Sequence, residues 1–259
     1  MDWAKVILDA LDATVSEVMA GEDVAILFSG GLDSGLLAAL ARRHGRPHLY
    51  TVGIEDSHDM RMSEEAAAYL DLPWTPLIMS EEDVLSASHD ILSIISLDDP
   101  VMLSFELPLQ MIASRARESE LMTGQGADEL FAGYHRYLTM EPDVLEKALR
   151  NDLHRLLEEV TPVDLKICDH YGKVLHRPFL HSRVIEVSRK IPSSEMICQG
   201  VRKIPLREAA ARLGVDLIAQ REKKAAQYGS GFMKVLKACS RREGVPLREY
   251  LTILAQAGP

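Results

Sequence analysis

The sequence predicts an α/β fold: a parallel sheet with helices on both faces, followed by a helical C-terminal part. Three observations predict it. Short apolar runs alternate with stretches of helical period through the first half of the chain. Those runs lack polar alternation, the mark of strands covered on both faces. Two of them stop at glycine-bearing turns that open a helix. Taken in order, residues 2–20 set Val6, Ile7, Leu11 and Val15 at helical spacing, and Gly21 ends that helix. Residues 23–28 form a short apolar strand ending in Ser29-Gly30-Gly31, after which the period changes to Leu36, Leu37 and Leu40. The alternation repeats as strand 48–54, helix 59–70, strand 74–79, helix 81–95, helix 107–117 and strand 120–123. From residue 141 the pattern is helical over 144–160, 182–190, 205–213, 233–239 and 247–255, with Pro142, Pro162, Pro178 and Pro192 as breaks. The expected division is a core over 1–140 and a helical part over 141–259, without repeats or long linkers.

Composition narrows the classes of function. With 259 residues, 47% hydrophobic and 26% charged, the chain has ample material for a buried core and is neither disordered nor fibrous. Lys plus Arg number 29 and Asp plus Glu 39, a net charge of −10, so the cationic footprint that releases counterions from nucleic acid is missing. Apolar runs such as 24–28 fall far short of the ~20 residues that span a bilayer. Three widely spaced cysteines, Cys168, Cys198 and Cys239, form neither a disulfide framework nor a CxxC pair, which fits a reducing cytoplasm. Neither nucleic acid nor membrane is expected as a partner.

Two segments carry most of the chemistry. In Ser29-Gly30-Gly31-Leu32-Asp33-Ser34 the glycines let backbone approach an anion, and the following helix aims free N–H groups and the positive end of its dipole at it. No Gly-Lys-Ser/Thr follows, so this is not a Walker A loop. Asp33 beside a phosphate nest requires a divalent cation between the two anions. Without that chemistry the segment is a Gly-Gly turn with Asp33 or Ser34 capping a helix. The second segment, 123–134, runs Thr-Gly-Gln-Gly-Ala-Asp-Glu-Leu-Phe-Ala-Gly-Tyr, and again joins a short strand to a helix. Its bland reading is a tight turn whose Asp128 and Glu129 complement a helix N-terminus.

Ser29 to Ser34 resembles the pyrophosphate-binding loop of the N-type ATP pyrophosphatases, and the second segment resembles the signature of the asparagine synthetase synthase domain within that superfamily. The resemblance covers roughly residues 24–231. It implies the adenine nucleotide alpha hydrolase-like fold, with 1–140 as the ATP pyrophosphatase core and 141–259 completing the synthase domain. It implies ATP and Mg²⁺ as the nucleotide and metal. Leu27, Val52 and Gly53 would lie against adenine, Ser29, Gly30, Gly31, Asp33 and Ser34 against phosphate, and Thr123 and Gly124 would close over the nucleotide. Asp33 and Asp128 would share the metal across the switch point between the first and fourth strands. A third segment, 221–231, is similar to the family's C-terminal Arg-x-Lys loop, which puts Lys223 where it would neutralise departing pyrophosphate.

The acceptor half departs from the family pattern. Gln125 stands where the second signature usually carries an acid, and it can hydrogen-bond an amine without balancing its charge. Where the family has Glu, Arg and Asp around Pro178-Phe179-Leu180, this chain has Val174, His176 and His181, with Arg177 as a displaced guanidinium. Position two is Asp2, where glutamine-dependent members carry a nucleophilic cysteine, so no glutaminase domain is expected within this sequence. The function implied is an ATP-dependent amide-forming ligase. It would adenylate a carboxylate, with aspartate the first choice, release pyrophosphate and aminate the acyl-adenylate with ammonia, which a separate glutaminase subunit could supply. Lys223, Asp128 and Gln125 are the expected catalytic groups. The alternatives are an adenylating ligase for another carboxylate or amine, and a nucleotide-binding regulatory subunit. Adenylating tRNA modification is opposed by the net charge and the missing CxxC.

Overall fold

The structure is a computed structural model that describes residues 1–21, 23–221 and 229–256. Helix α1 (Trp3–Met19) is started by Asp2, whose side chain accepts from the Lys5 amide at 3.2 Å, and it buries Ile7, Leu11 and Val15. Strand β1 (Val24–Leu27) leads through the first glycine turn into α2 (Leu32–His44). Then come β2 (His48–Gly53), α3 (His58–Leu70), β3 (Trp74–Ile78), α4 (Glu81–Ile94), α5 (Pro100–Ala113), β4 (Glu120–Met122) and the one-turn helix α6 (Ala127–Leu130). Helix α4 carries a capping box in which the Ser80 hydroxyl and the Asp83 carboxylate exchange hydrogen bonds with each other's backbone amides.

The C-terminal part contains α7 (Pro142–Arg155), a π-helical turn over Leu156–Val160, α8 (Thr161–His170), β5 (Val174–His176) and α9 (Ser182–Ser188). A two-stranded hairpin follows, β6 (Ile197–Cys198) and β7 (Val201–Arg202), then α10 (Ile204–Arg212), α11 (Asp216–Ala219), α12 (Phe232–Arg242) and α13 (Leu247–Gln256). The main sheet is parallel throughout, in the order β3-β2-β1-β4-β5. The expected fold class therefore holds, with one difference: the edge strand β5 lies past residue 140 and pairs with β4, Leu121 opposite Leu175. A three-residue strand is too short to show a period, and Val174-Leu175-His176 is reached by a short turn from the end of α8.

The two faces of the sheet are both covered. Val24, Ile26 and Phe28 point into one apolar cluster with α1, α2 and α10, whereas Ala25 points into the other with α4, α5 and α12. That alternation is the strand's period of two, and burial on both sides explains why the strands read as unbroken apolar runs. No described helix is long and apolar enough to cross a membrane.

Candidate active site

Strand order reverses at β1: the chain moves from β1 to β2 on one side and later places β4 on the other. Ligands in such sheets bind beyond the strand carboxyl ends at this crevice. The loops after β1 and β4 meet there. Gly124 lies so close to α2 that a Cβ on it would stand 3.1 Å from the Asp33 Cβ. Leu27, Val52 and Gly53 occupy the ends of β1 and β2 beside the same crevice.

The first loop curls on its own side chains. The Ser29 amide donates to Ser34 Oγ at 3.3 Å, and the Gly31 amide to Ser29 Oγ at 3.4 Å. Gly30 has φ +70°, and a Cβ there would collide with the Met62 carbonyl, so only glycine fits. Arg221 ties this turn down from the far end of the chain. Its Nη1 donates to the Gly30 carbonyl at 2.7 Å and to the Met62 carbonyl, and its Nη2 pairs with Glu65 at 2.8 Å. On the other side of the third segment, the Ser230 carbonyl accepts from the Ile54 amide at 3.0 Å, just past β2. Lys223 lies outside the described residues.

Asp33, in the first turn of α2, and Asp128, in α6, stand on opposite sides of the switch point. Between them is a residue that sequence reasoning missed. The Lys203 ammonium lies 2.6 and 2.7 Å from the two Asp33 oxygens and 2.8 Å from Asp128 Oδ1. Lys203 follows β7 in a left-handed conformation, φ +58°, and its side chain is 4% exposed. Burial pulls its ammonium below the ordinary lysine value, while the Asp33 carboxylate opposes that shift. Gly133 makes room for the pair, since a Cβ there would overlap both Asp128 and Lys203. A lysine in a hairpin ahead of a helix reads as solvated surface, and nothing local in the sequence marks it otherwise.

Gln125 sits in the turn after β4 and turns away from this ion cluster. Its Nε2 donates to Asp164 Oδ2 of α8 at 2.9 Å. Asp164 and Glu106 of α5 are 3% and 1% exposed and face each other. Burial and the neighbouring Asp164 carboxylate push the Glu106 carboxyl up to about 10. Asp164 is raised as well, chiefly by burial. Arg177 Nη1 lies 3.9 Å from Asp164 Oδ2 and donates to Thr161 Oγ1 at 2.7 Å. The three substituted family positions lie outside this cluster. Val174 is half exposed, His176 pairs with Glu120 at 2.5 Å, and His181 caps α9 by accepting from the Arg183 amide at 3.3 Å. Glu106 could have been noticed as the one charge inside the apolar stretch 101–109; Asp164 falls in a helix the periodicity did not reveal.

No group of three or more His, Cys, Asp or Glu side chains among the described residues is placed to hold a metal. The Asp33 and Asp128 carboxylates nevertheless supply two hard oxygen donors already gathered around a positive charge, which fits Mg²⁺ in the company of phosphate oxygens.

The family model for asparagine synthase matches residues 6–243. A protein of Methanocaldococcus jannaschii named putative asparagine synthetase [glutamine-hydrolyzing] 1 is 32% identical over 97% of this chain and 54% of its own length. Asparagine synthetase B [glutamine-hydrolyzing] of Escherichia coli K12 is 23% identical over 85% of this chain and 44% of its own. The chain spans about half the length of the curated relatives it matches. Among solved structures, the NH3-dependent NAD synthetase of Campylobacter jejuni aligns at 17% identity and a TM-score of 0.38, covering 67% of this chain and 97% of that one. A predicted tRNA methyltransferase subunit of Methanocaldococcus jannaschii aligns at 18% and 0.38, covering 79% and 94%. A family match of that extent, joined to a relative of that identity over nearly the whole chain, makes this polypeptide a member of the asparagine synthase family.

Proposed function

We propose that the chain is the synthase part of an ATP-dependent amide-forming ligase. A substrate carboxylate attacks the α-phosphorus of ATP and pyrophosphate leaves. Ammonia then attacks the acyl carbon of the acyl-adenylate, the acyl C–O bond breaks so that AMP leaves with the bridging oxygen, and one proton is released from the new amide nitrogen. The observation that carries this reading is the gathering of Asp33 and Asp128 around a buried positive charge at the switch point. Mg²⁺ on the nucleotide supplies charge neutralisation there, and Asp33 and Asp128 are the side chains that would hold it. The Ser29 to Ser34 turn presents backbone N–H groups to the phosphates, held in shape by Arg221 on the Gly30 carbonyl. Lys203 would keep its positive charge beside the phosphates, and Lys223 is the second lysine that we assign to neutralising pyrophosphate. Leu27, Val52 and Gly53 form the adenine side, and Thr123 and Gly124 the opposite wall. Positioning and electrostatics do the work, without a side-chain nucleophile.

Aspartate is the first acceptor to test. Val174 is half exposed, and His176 and His181 are engaged by Glu120 and the Arg183 amide, which favours a carboxylate held differently from the family pattern. The curated relatives are named as hydrolysing glutamine, so a glutaminase is the expected source of ammonia. The test incubates the protein with ATP, Mg²⁺, ammonium and a panel of carboxylates that includes aspartate. AMP and pyrophosphate in equal amounts, dependent on one carboxylate, support the proposal; ADP and phosphate as the only products overturn it.

A further inference from the structure

We infer that Asp164, acting through Gln125, builds an N–H-binding position beside the nucleotide crevice, with the buried Glu106 carboxyl packed against it. This rests on the ligase reading, and it concerns residues outside the nucleotide loops. A carboxylate accepts only from the NH2 end of the Gln125 amide, so the 2.9 Å contact with Asp164 fixes Nε2 toward α8 and turns Oε1 the other way. Oε1 is buried and has no hydrogen-bond partner among the described residues. Glu106, 1% exposed, is instead partnered by the Asp164 carboxyl it faces, which leaves Gln125 Oε1 as the open acceptor. Native proteins leave few such atoms, and their neighbourhood is where a ligand completes the bonding.

The ligand chemistry follows from the atoms. Gln125 Oε1 is an acceptor held in one orientation, so its partner must donate an N–H or O–H. The Asp164 charge behind it polarises the amide and makes that oxygen a stronger acceptor, favouring a donor that carries or develops positive charge. Burial beside Asp164 favours the protonated form of Glu106, and Arg177 lies 3.9 Å from the same Asp164 oxygen that Gln125 contacts. Ammonia attacking an acyl carbon develops positive charge on nitrogen, and an amino-acid acceptor carries an ammonium. Both share the chemistry this position accepts. The missing acid at residue 125 is thereby supplied from α8 at one remove.

The test uses Asp164→Asn, Glu106→Gln, Gln125→Glu and the exchange Gln125→Glu/Asp164→Asn, each checked for folding by thermal unfolding. Adenylation is read alone, as carboxylate-dependent exchange of pyrophosphate into ATP without amine, and amination separately as amide formation. Asp164→Asn is expected to leave the maximal exchange rate at saturating carboxylate within about twofold of wild type and to raise the KM for one nitrogen-bearing substrate by about tenfold or more. A rise for ammonium alone assigns the position to the nitrogen donor, and a rise for the acceptor alone assigns it to the acceptor's amino group. Gln125→Glu brings a third carboxyl into the cluster and is expected to impair amination. The exchange rebuilds the hydrogen bond with its polarity reversed, since Asn donates to Glu, and is expected to recover amination. Unchanged KM for both nitrogen substrates in Asp164→Asn, or an exchange variant no better than its worse parent, overturns the inference. If the wild type gives no pyrophosphate exchange, the ligase reading fails by itself. The inference is then judged by whether methylammonium chloride raises the wild-type Tm above matched KCl and loses that effect in Asp164→Asn.

Discussion

Lys203 is the residue on which the candidate site turns. Its ammonium bridges Asp33 and Asp128, so the two carboxylates approach each other across the switch point without the full cost of like charge. Removing one partner of a buried ionic group leaves charge uncompensated, which costs about 3–5 kcal/mol. Lys203→Met should therefore lower the Tm substantially, at about 2–4 °C for each kcal/mol. Because the same carboxylates would then be offered to metal without a competing ammonium, Mg²⁺ alone should raise the Tm of Lys203→Met more than that of wild type. Thermal unfolding with and without MgCl2 measures both effects, and an equal Mg²⁺ response in the two proteins would rule out shared occupancy. Asp33→Asn should keep the shape of the turn and reduce carboxylate-dependent pyrophosphate exchange by about 10²-fold, the scale of losing one electrostatic group in a water-excluded site. Gly30→Ala tests the loop itself. The left-handed backbone and the Met62 carbonyl both oppose a Cβ, so stability should fall by about 1–3 kcal/mol and nucleotide affinity should fall with it.

At the scale of elements, the strand–turn–helix units around β1 and β4 were legible because their chemistry is local. Glycines, an acid and a change of period lie within a dozen residues of one another. The ion cluster was not, because it is assembled from α2, α6 and the turn after β7, and separation in sequence hides it. The same holds for Gln125, whose partner is on α8. Pro162 reads in the sequence as a break and so hides α8, whereas proline fits the first turn of a helix and sits there in α8. Helix α5 starts at Pro100 for the same reason, so the expected start at 107 was late. Its buried Glu106 gives a pH prediction. The folded carboxyl titrates at about 10, against an ordinary value of 4.5, so the fold binds more protons than the unfolded chain between those values. The stability this contributes is fully present below the ordinary carboxylate range and is lost as pH rises toward 10, by up to about 1.4 kcal/mol per pH unit. Glu106→Gln removes the titration, while Cys168, pushed up to about 12 by burial, stays neutral through that window. Calorimetry from about pH 7 to about pH 9 should show a falling Tm for wild type and a flatter one for Glu106→Gln; parallel slopes would exclude Glu106 as the source.

Across the whole molecule, the two parts suggested by the sequence are interlocked. The C-terminal part gives the sheet its edge strand β5, covers one face with α10 and the other with α12, and sends Lys203 and Arg221 into the crevice. The N-terminal helix returns the contact, with Arg183 paired to Glu17 at 3.0 Å and Arg212 to Asp2 at 2.5 Å. Surface pairs of this kind contribute little by themselves, so the dependence rests on buried apolar surface. Leu206 and Ala209 of α10 and Phe232 and Leu236 of α12 are fully buried against the sheet layers. Residues 1–140 made alone would expose that surface, leave the three-residue β4 as an open edge, and bring Asp33 and Asp128 together without Lys203. Such a fragment should show no cooperative thermal transition and no ATP-dependent rise in Tm, whereas the full chain should show both. Near-UV circular dichroism, with a nucleotide titration of the two proteins, decides the matter: a fragment that melts cooperatively and binds ATP as the full chain does would mean that the C-terminal part is an addition to the nucleotide site and not a component of it.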